Sequence, residues 1–102
     1  MLLQQQGSRV EVARPQVFSG RMEEVSAFVN AARLYIRMKM TEEAAATQVA
    51  WVLSYVQGEI AEAWKDNLLD EMAKGESEVE SAEQLFAKIR DDFGEHRRRR
   101  EK

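Results

Sequence analysis

The chain of 102 residues has no cysteine, one histidine and one proline. Without cysteine, disulfides and thiolate metal sites are excluded, and nothing points to an oxidising compartment. With His96 as the only histidine, zinc ligation by a histidine pair is excluded and a nucleophile–histidine–acid arrangement is barely possible. The five glycines are dispersed, so no glycine-rich phosphate loop occurs. No apolar run approaches the roughly 18 residues of a membrane span. The start, MLLQQQGSRV, lacks the basic and apolar regions of a secretory signal. Carboxylates are many, but no pair shares an apolar helix face where burial would split two pKa values for acid–base work. These absences lead us to expect a soluble, intracellular, cytoplasmic protein that is not an enzyme and holds no cofactor or metal.

What is present is one domain's worth of ordinary globular composition, 44% hydrophobic, enough for a single core. The net charge of −3 hides a segregation. Residues 1–40 carry six Lys/Arg against three Asp/Glu, residues 41–95 four against fourteen, and residues 96–102 five against one. The acidic middle repels phosphate and is a poor nucleic-acid surface. The dense basic run is Arg97-Arg98-Arg99-Arg100, which either contacts RNA or is a solvated linker.

Residues 1–13 read as a flexible leader, 14–95 as a helical domain and 96–102 as a basic tail. Arg14-Pro15 biases the chain to extended geometry, and Val17 and Phe18 precede a turn at Ser19-Gly20, so this segment is expected to lie extended and to dock on the helical body. Helix one is expected over about Met22–Met38, with Met22, Val25, Phe28, Val29, Ala32, Tyr35 and Ile36 on one face. Helix two is expected over about Glu42–Gln57, with Thr41 as its N-cap and Gly58 as its left-handed stop. Ala45, Val49, Val52 and Val56 form its stripe, and Ala46, Ala50, Trp51, Leu53 and Tyr55 widen the stripe almost to the full circumference. A helix apolar all round normally sits in the middle of a domain. Helix three is expected over about Glu59–Ala73, with Ile60, Ala61, Trp64, Leu68 and Met72 on one face, Leu69 beside it and Gly75 closing it. Ser81 and Gln84 fit a capping box that starts helix four, which runs to about Phe93 on Leu85, Phe86 and Ile89. The expectation is all-α: a compact bundle of four main helices preceded by a short extended segment.

The order of these landmarks resembles the N-terminal capsid lobe of Gag proteins from gypsy-like long-terminal-repeat retrotransposons and their domesticated relatives, among them the neuronal protein Arc. The resemblance is carried by Pro15, Phe18 and Gly20, then Phe28 and Tyr35-Ile36. It continues through Val49, Trp51-Val52-Leu53-Ser54-Tyr55-Val56 and Gly58, then Ala61 and Trp64, and ends on Leu85, Phe86, Ile89 and Phe93. It covers about residues 14–94. One departure is that Gly58 and Ala61 stand three apart where the family places glycine and alanine two apart, so the extra residue rotates the entry to helix three or is absorbed in the turn. The second capsid lobe, the zinc knuckle and the protease or polymerase motifs of the family do not appear.

The resemblance implies a structural capsid domain that self-associates, together with a second lobe, into a virus-like shell around retroelement RNA. Its partners would be other Gag subunits and RNA, without a membrane. It also implies an alternative, a domesticated adaptor whose hydrophobic groove accepts short extended peptides, with Pro15, Val17, Phe18 and Gly20 as the groove or docking segment. Trp51 and Trp64, at helical spacing on apolar faces, read as scaffold with Phe28, Tyr35, Val49, Leu53, Leu68, Phe86, Ile89 and Phe93. Their indole nitrogens then need a partner or an edge position.

Overall fold

A computed structural model describes residues 11–94. A 3-10 turn at Met22–Glu24 leads into four α-helices: α1 (Val25–Lys39), α2 (Ala45–Leu53), α3 (Glu59–Ala73) and α4 (Ala82–Phe93). The domain is all-α, as the periodicity implied. Most of the expected leader and the whole tail, with His96 and Arg97–Arg100, lie outside the described residues. Among the described residues no helix is long and apolar enough to cross a membrane.

α1 follows its periodicity. Val25, Phe28, Val29 and Ala32 are buried, and Arg37 and Lys39 complement the dipole at its last turn. Tyr35 departs from the expected core face: it is half-buried, at the margin of that face, and stacks on Trp51.

α2 is shorter at both ends than the sequence suggested. The chain reverses through Met40–Ala44, so helix cannot begin at Glu42. Thr41 makes no cap, and the residue before the helix is the extended Ala44. The Gln48 side chain holds this turn instead, donating to the Met40 carbonyl at 2.8 Å. At the other end the Ser54 hydroxyl donates to the Trp51 carbonyl at 2.6 Å. The amides of Ser54, Tyr55 and Val56 then tighten onto the carbonyls three residues back. From Tyr55 onward the backbone serves a different partner, described below. Gly58 is therefore not the stop of α2 but the residue preceding α3, at φ 112° and ψ 153°, a region essentially reserved for glycine.

The centre of the domain is also not where the apolar count placed it. Ala45, Ala46 and Ala50 of α2 face solvent, and only Val49, Val52 and Leu53 are buried. Alanine is a strong helix former that loses little by facing water, so a run of alanines overstates burial. The hub is α4, which packs against both α1 and α2. Its Leu85, Phe86 and Ile89 are essentially inaccessible, each contributing about 1.5–3 kcal/mol of burial. Ser81 caps it, accepting from the Gln84 amide at 3.2 Å, while the Gln84 side chain accepts from the Glu80 amide at 2.8 Å, one residue earlier than a standard capping box.

α3 buries Ala61 and Leu68 and half-buries Trp64 and Met72. Ile60, expected on this face, is 70% exposed, because with Ala61 seated against the body its neighbour turns about 100° away. The closing amides of Gly75 and Glu76 donate to Met72 and Glu71, the reciprocal pattern of a glycine-closed helix.

Candidate interaction surfaces

The extended segment does dock. The Phe18 amide donates to the Tyr55 carbonyl at 2.8 Å, and the Gln57 amide donates to the Phe18 carbonyl at 3.0 Å. These two bonds make a parallel bridge between Phe18 and Val56. They explain why α2 cannot continue, since Tyr55 and Gln57 give their backbone groups to this segment. Pro15 is buried and Phe18 fully so, while Val17 points outward. The Ser19 amide and hydroxyl both donate to the Glu24 carboxylate, at 2.8 and 2.9 Å. Burial pushes the Glu24 carboxyl up, but the Ser19 hydrogen bonds outweigh it and hold it below its ordinary value.

Phe18 sits in a closed aromatic junction. Its ring stacks on Phe28 at 5.3 Å and meets Phe93 edge-on at 5.1 Å. Phe93 in turn meets Trp64 at 5.2 Å, and the Trp64 indole donates to Asp92 at 2.7 Å. Gly20, at φ 102°, lies so close that a Cβ there would meet the Ala61 amide at 3.4 Å and the Phe93 ring at 3.5 Å. Gly58 directly precedes α3, and Ala61 lies in its first turn, fully buried against Gly20.

A second set of rings is open. Tyr35 stacks on Trp51 at 4.9 Å, Tyr55 meets Trp51 edge-on at 5.1 Å, and the Arg14 guanidinium lies 5.8 Å from the centre of the Tyr35 ring. All three rings are half-buried. Of the expected scaffold residues, Phe28, Val49, Leu53, Leu68, Phe86 and Ile89 are buried in the core, and Trp51, Trp64 and Phe93 pack half-buried against it.

Three further features had no local signal. Arg33 makes two parallel bonds to Glu83, at 2.8 and 2.9 Å, and its guanidinium covers the Phe86 ring at 5.4 Å. The hydrogen bonds from Arg33 hold the Glu83 carboxyl below its ordinary value. A shallow groove of about 320 Å³ runs beside α1, lined by Val17, Glu23, Glu24, Ala27 and Ala31. A wider one of about 570 Å³, between the end of α3 and α4, carries Glu71, Glu76, Glu78 and Asp91, and is hostile to phosphate. Among the described residues no group of three or more metal-ligating side chains converges, and no buried side-chain nitrogen or oxygen lacks a partner.

Compared with protein-family models, curated proteins and solved structures, the chain matches none of them.

Proposed function

We propose that this chain is a structural, self-associating domain of capsid type, the N-terminal lobe of a Gag protein of the gypsy-like class, which joins a second lobe in a shell that packages retroelement RNA. One observation carries the reading. Five of the landmarks that motivate it, scattered from Phe18 to Phe93, gather at one junction: Phe93 meets both Phe18 and Trp64, and Gly20 lies against Ala61 and Phe93. RNA, in this reading, is met by Arg97–Arg100 or by parts of Gag beyond this lobe, because the described surface includes an acidic groove. The test is electron microscopy and nuclease protection on the product of the natural reading frame that contains this chain. Closed particles that shield RNA support the reading, and a product that stays monomeric across salt and pH overturns it.

A second reading, a domesticated adaptor for short extended peptides, is favoured by the groove beside Val17 and by the open rings of Tyr35, Trp51 and Tyr55. Half-buried aromatic rings suit proline- and aromatic-bearing partners. A proline-plus-aromatic peptide titrated into isotopically labelled protein should then shift the amides of Val17, Ala27 and Tyr35. Unmoved amides at millimolar peptide remove this reading.

A further inference from the structure

The outer face of α1 carries apolar side chains that the described residues leave exposed. Ala27, Ala31, Leu34 and Met38 recur at steps of four, three and four residues, the spacing of a helix–helix seam. They lie opposite the buried face of Val25, Phe28, Val29 and Ala32. Leu34 is 53% and Met38 55% exposed, and Val17 at the rim of the adjoining groove is 47% exposed. Three of the five large exposed apolar side chains of the described residues therefore stand on one side of the domain.

The two halves of this face differ in shape and in charge. The N-terminal half is a depression: Ala27 and Ala31 form its floor, Val17 its rim, and Glu23 and Glu24 its acidic end. Arg21 pairs with Glu23 at 3.2 Å, and Glu24, held ionised by Ser19, leaves that end with a net negative charge. The C-terminal half is a ridge: Leu34 and Met38 project, and Arg37 and Lys39 flank Met38 with positive charge. A surface whose hollow is acidic and whose ridge is basic is complementary to itself turned end for end.

We infer that the α1 face is the site where a second copy of this chain docks, its α1 antiparallel across a two-fold axis. In that register Ala27 faces the second copy's Met38 and Ala31 faces its Leu34, so each methionine enters the hollow of the other copy. The acidic 3-10 turn that precedes one α1 comes beside the basic last turn of the other, and the two helix dipoles oppose. One helix against one helix buries less than the roughly 1,200 Å² of a stable interface, so pairing is weak and grows with concentration. The inference specifies the self-association of the capsid reading but stands on α1 alone. Particles that form without this pairing would sink the pair and spare the capsid reading, and pairing without particles would do the reverse.

The chain has no cysteine of its own, so single cysteines report the register directly. Ala27→Cys and Met38→Cys replace exposed side chains and leave the core untouched. In the antiparallel register two copies of residue 27 lie 11 residues apart along the paired helices, about 16 Å at 1.5 Å per residue, beyond the reach of a disulfide. Mild oxidation of the mixed variants, at a concentration where sedimentation detects dimer, should give the 27–38 heterodimer as the main product by mass. Each variant alone should give at least several-fold less. Leu34→Glu, with unchanged helicity by circular dichroism, should abolish the concentration dependence of the sedimenting mass. A dominant 27–27 product, which marks a parallel pair, would overturn the inference. So would a wild-type protein that remains monomeric at millimolar concentration, or a proline–aromatic peptide that shields the cysteine of Ala27→Cys from alkylation when raised protein concentration does not.

Discussion

The rings around Phe18 and the rings around Trp51 are of the same kind and are packed at similar centroid distances, yet one set is closed and the other open. Phe18 has no accessible surface, and its neighbours come from three separate stretches of chain: Phe28 from α1, Phe93 from α4, and Val56 through the backbone bridge. Trp51 meets the rings of Tyr35 and Tyr55 at the edge of the core, and all three remain half-exposed. The closed set joins segments, so losing it costs stability. The open set packs against the core from one side only, so it contributes less to holding the fold and leaves part of its rings available to a partner. Burial, rather than residue type, separates scaffold from surface here.

That contrast can be broken deliberately. Phe18→Ala should have the largest effect, about 3–5 kcal/mol of lost stability, seen as a large drop in the urea midpoint. The Gln57 amide, which donates to the Phe18 carbonyl, should at the same time lose protection in hydrogen exchange. Gly20→Ala should cost about 1–3 kcal/mol, since a side chain must adopt φ near 102° while touching Ala61 and Phe93. Trp51→Ala should cost less, about 1–2 kcal/mol, because the ring is only half-buried and loses one stacked and one edge contact. A loss at Trp51 equal to that at Phe18 would erase the distinction between the two sets.

The smallest effect belongs to Glu83. Its carboxyl is depressed by Arg33, so its stabilisation is present above the unfolded value of about 4.3 and is lost as pH falls through the lower folded value. The Glu83 side chain is 64% exposed, which limits the contribution to about 1 kcal/mol or less. Glu83→Gln should therefore lower the denaturation midpoint slightly at pH 7. The gap between variant and parent should narrow as pH falls below the unfolded value and close once the Glu83 carboxyl is protonated in the folded protein.

Helix type and number were legible in the sequence because periodicity and end signals agree for α1, α3 and α4. The docking of Phe18 was legible as well, because Arg14-Pro15 forces an extended approach and two apolar residues then precede a turn. Three things were not. Thr41 looked like a cap, but a helix cannot begin until the chain has turned away from α1, and Gln48 rather than Thr41 holds that turn. Gly58 looked like a stop, but the bridge to Phe18 claims the backbone of Tyr55 and Gln57 first. The hub was misplaced because alanine counts as apolar whether or not it is covered. The Arg33–Glu83 clamp joins residues 50 apart, and no local pattern announces such a pair. Of the candidate surfaces, the α1 seam was present in the sequence as a four–three–four spacing, but it stood out only once the opposite face of the helix was seen to be buried.

The position of the hub has a consequence for how the molecule comes into being. The helix that covers both α1 and α2 is the last of the four in chain order. During synthesis Phe18 emerges early, yet its ring has no complete enclosure until Phe93 follows it out, some 75 residues later. Until then α1 and α2 must wait with their apolar stripes uncovered, because helices of this length are marginal alone. The domain should therefore form nearly all at once, close to the moment α4 is released. A ribosome-bound chain halted before Leu85 should remain open to proteolysis along its whole length, and one extended past Phe93 should not.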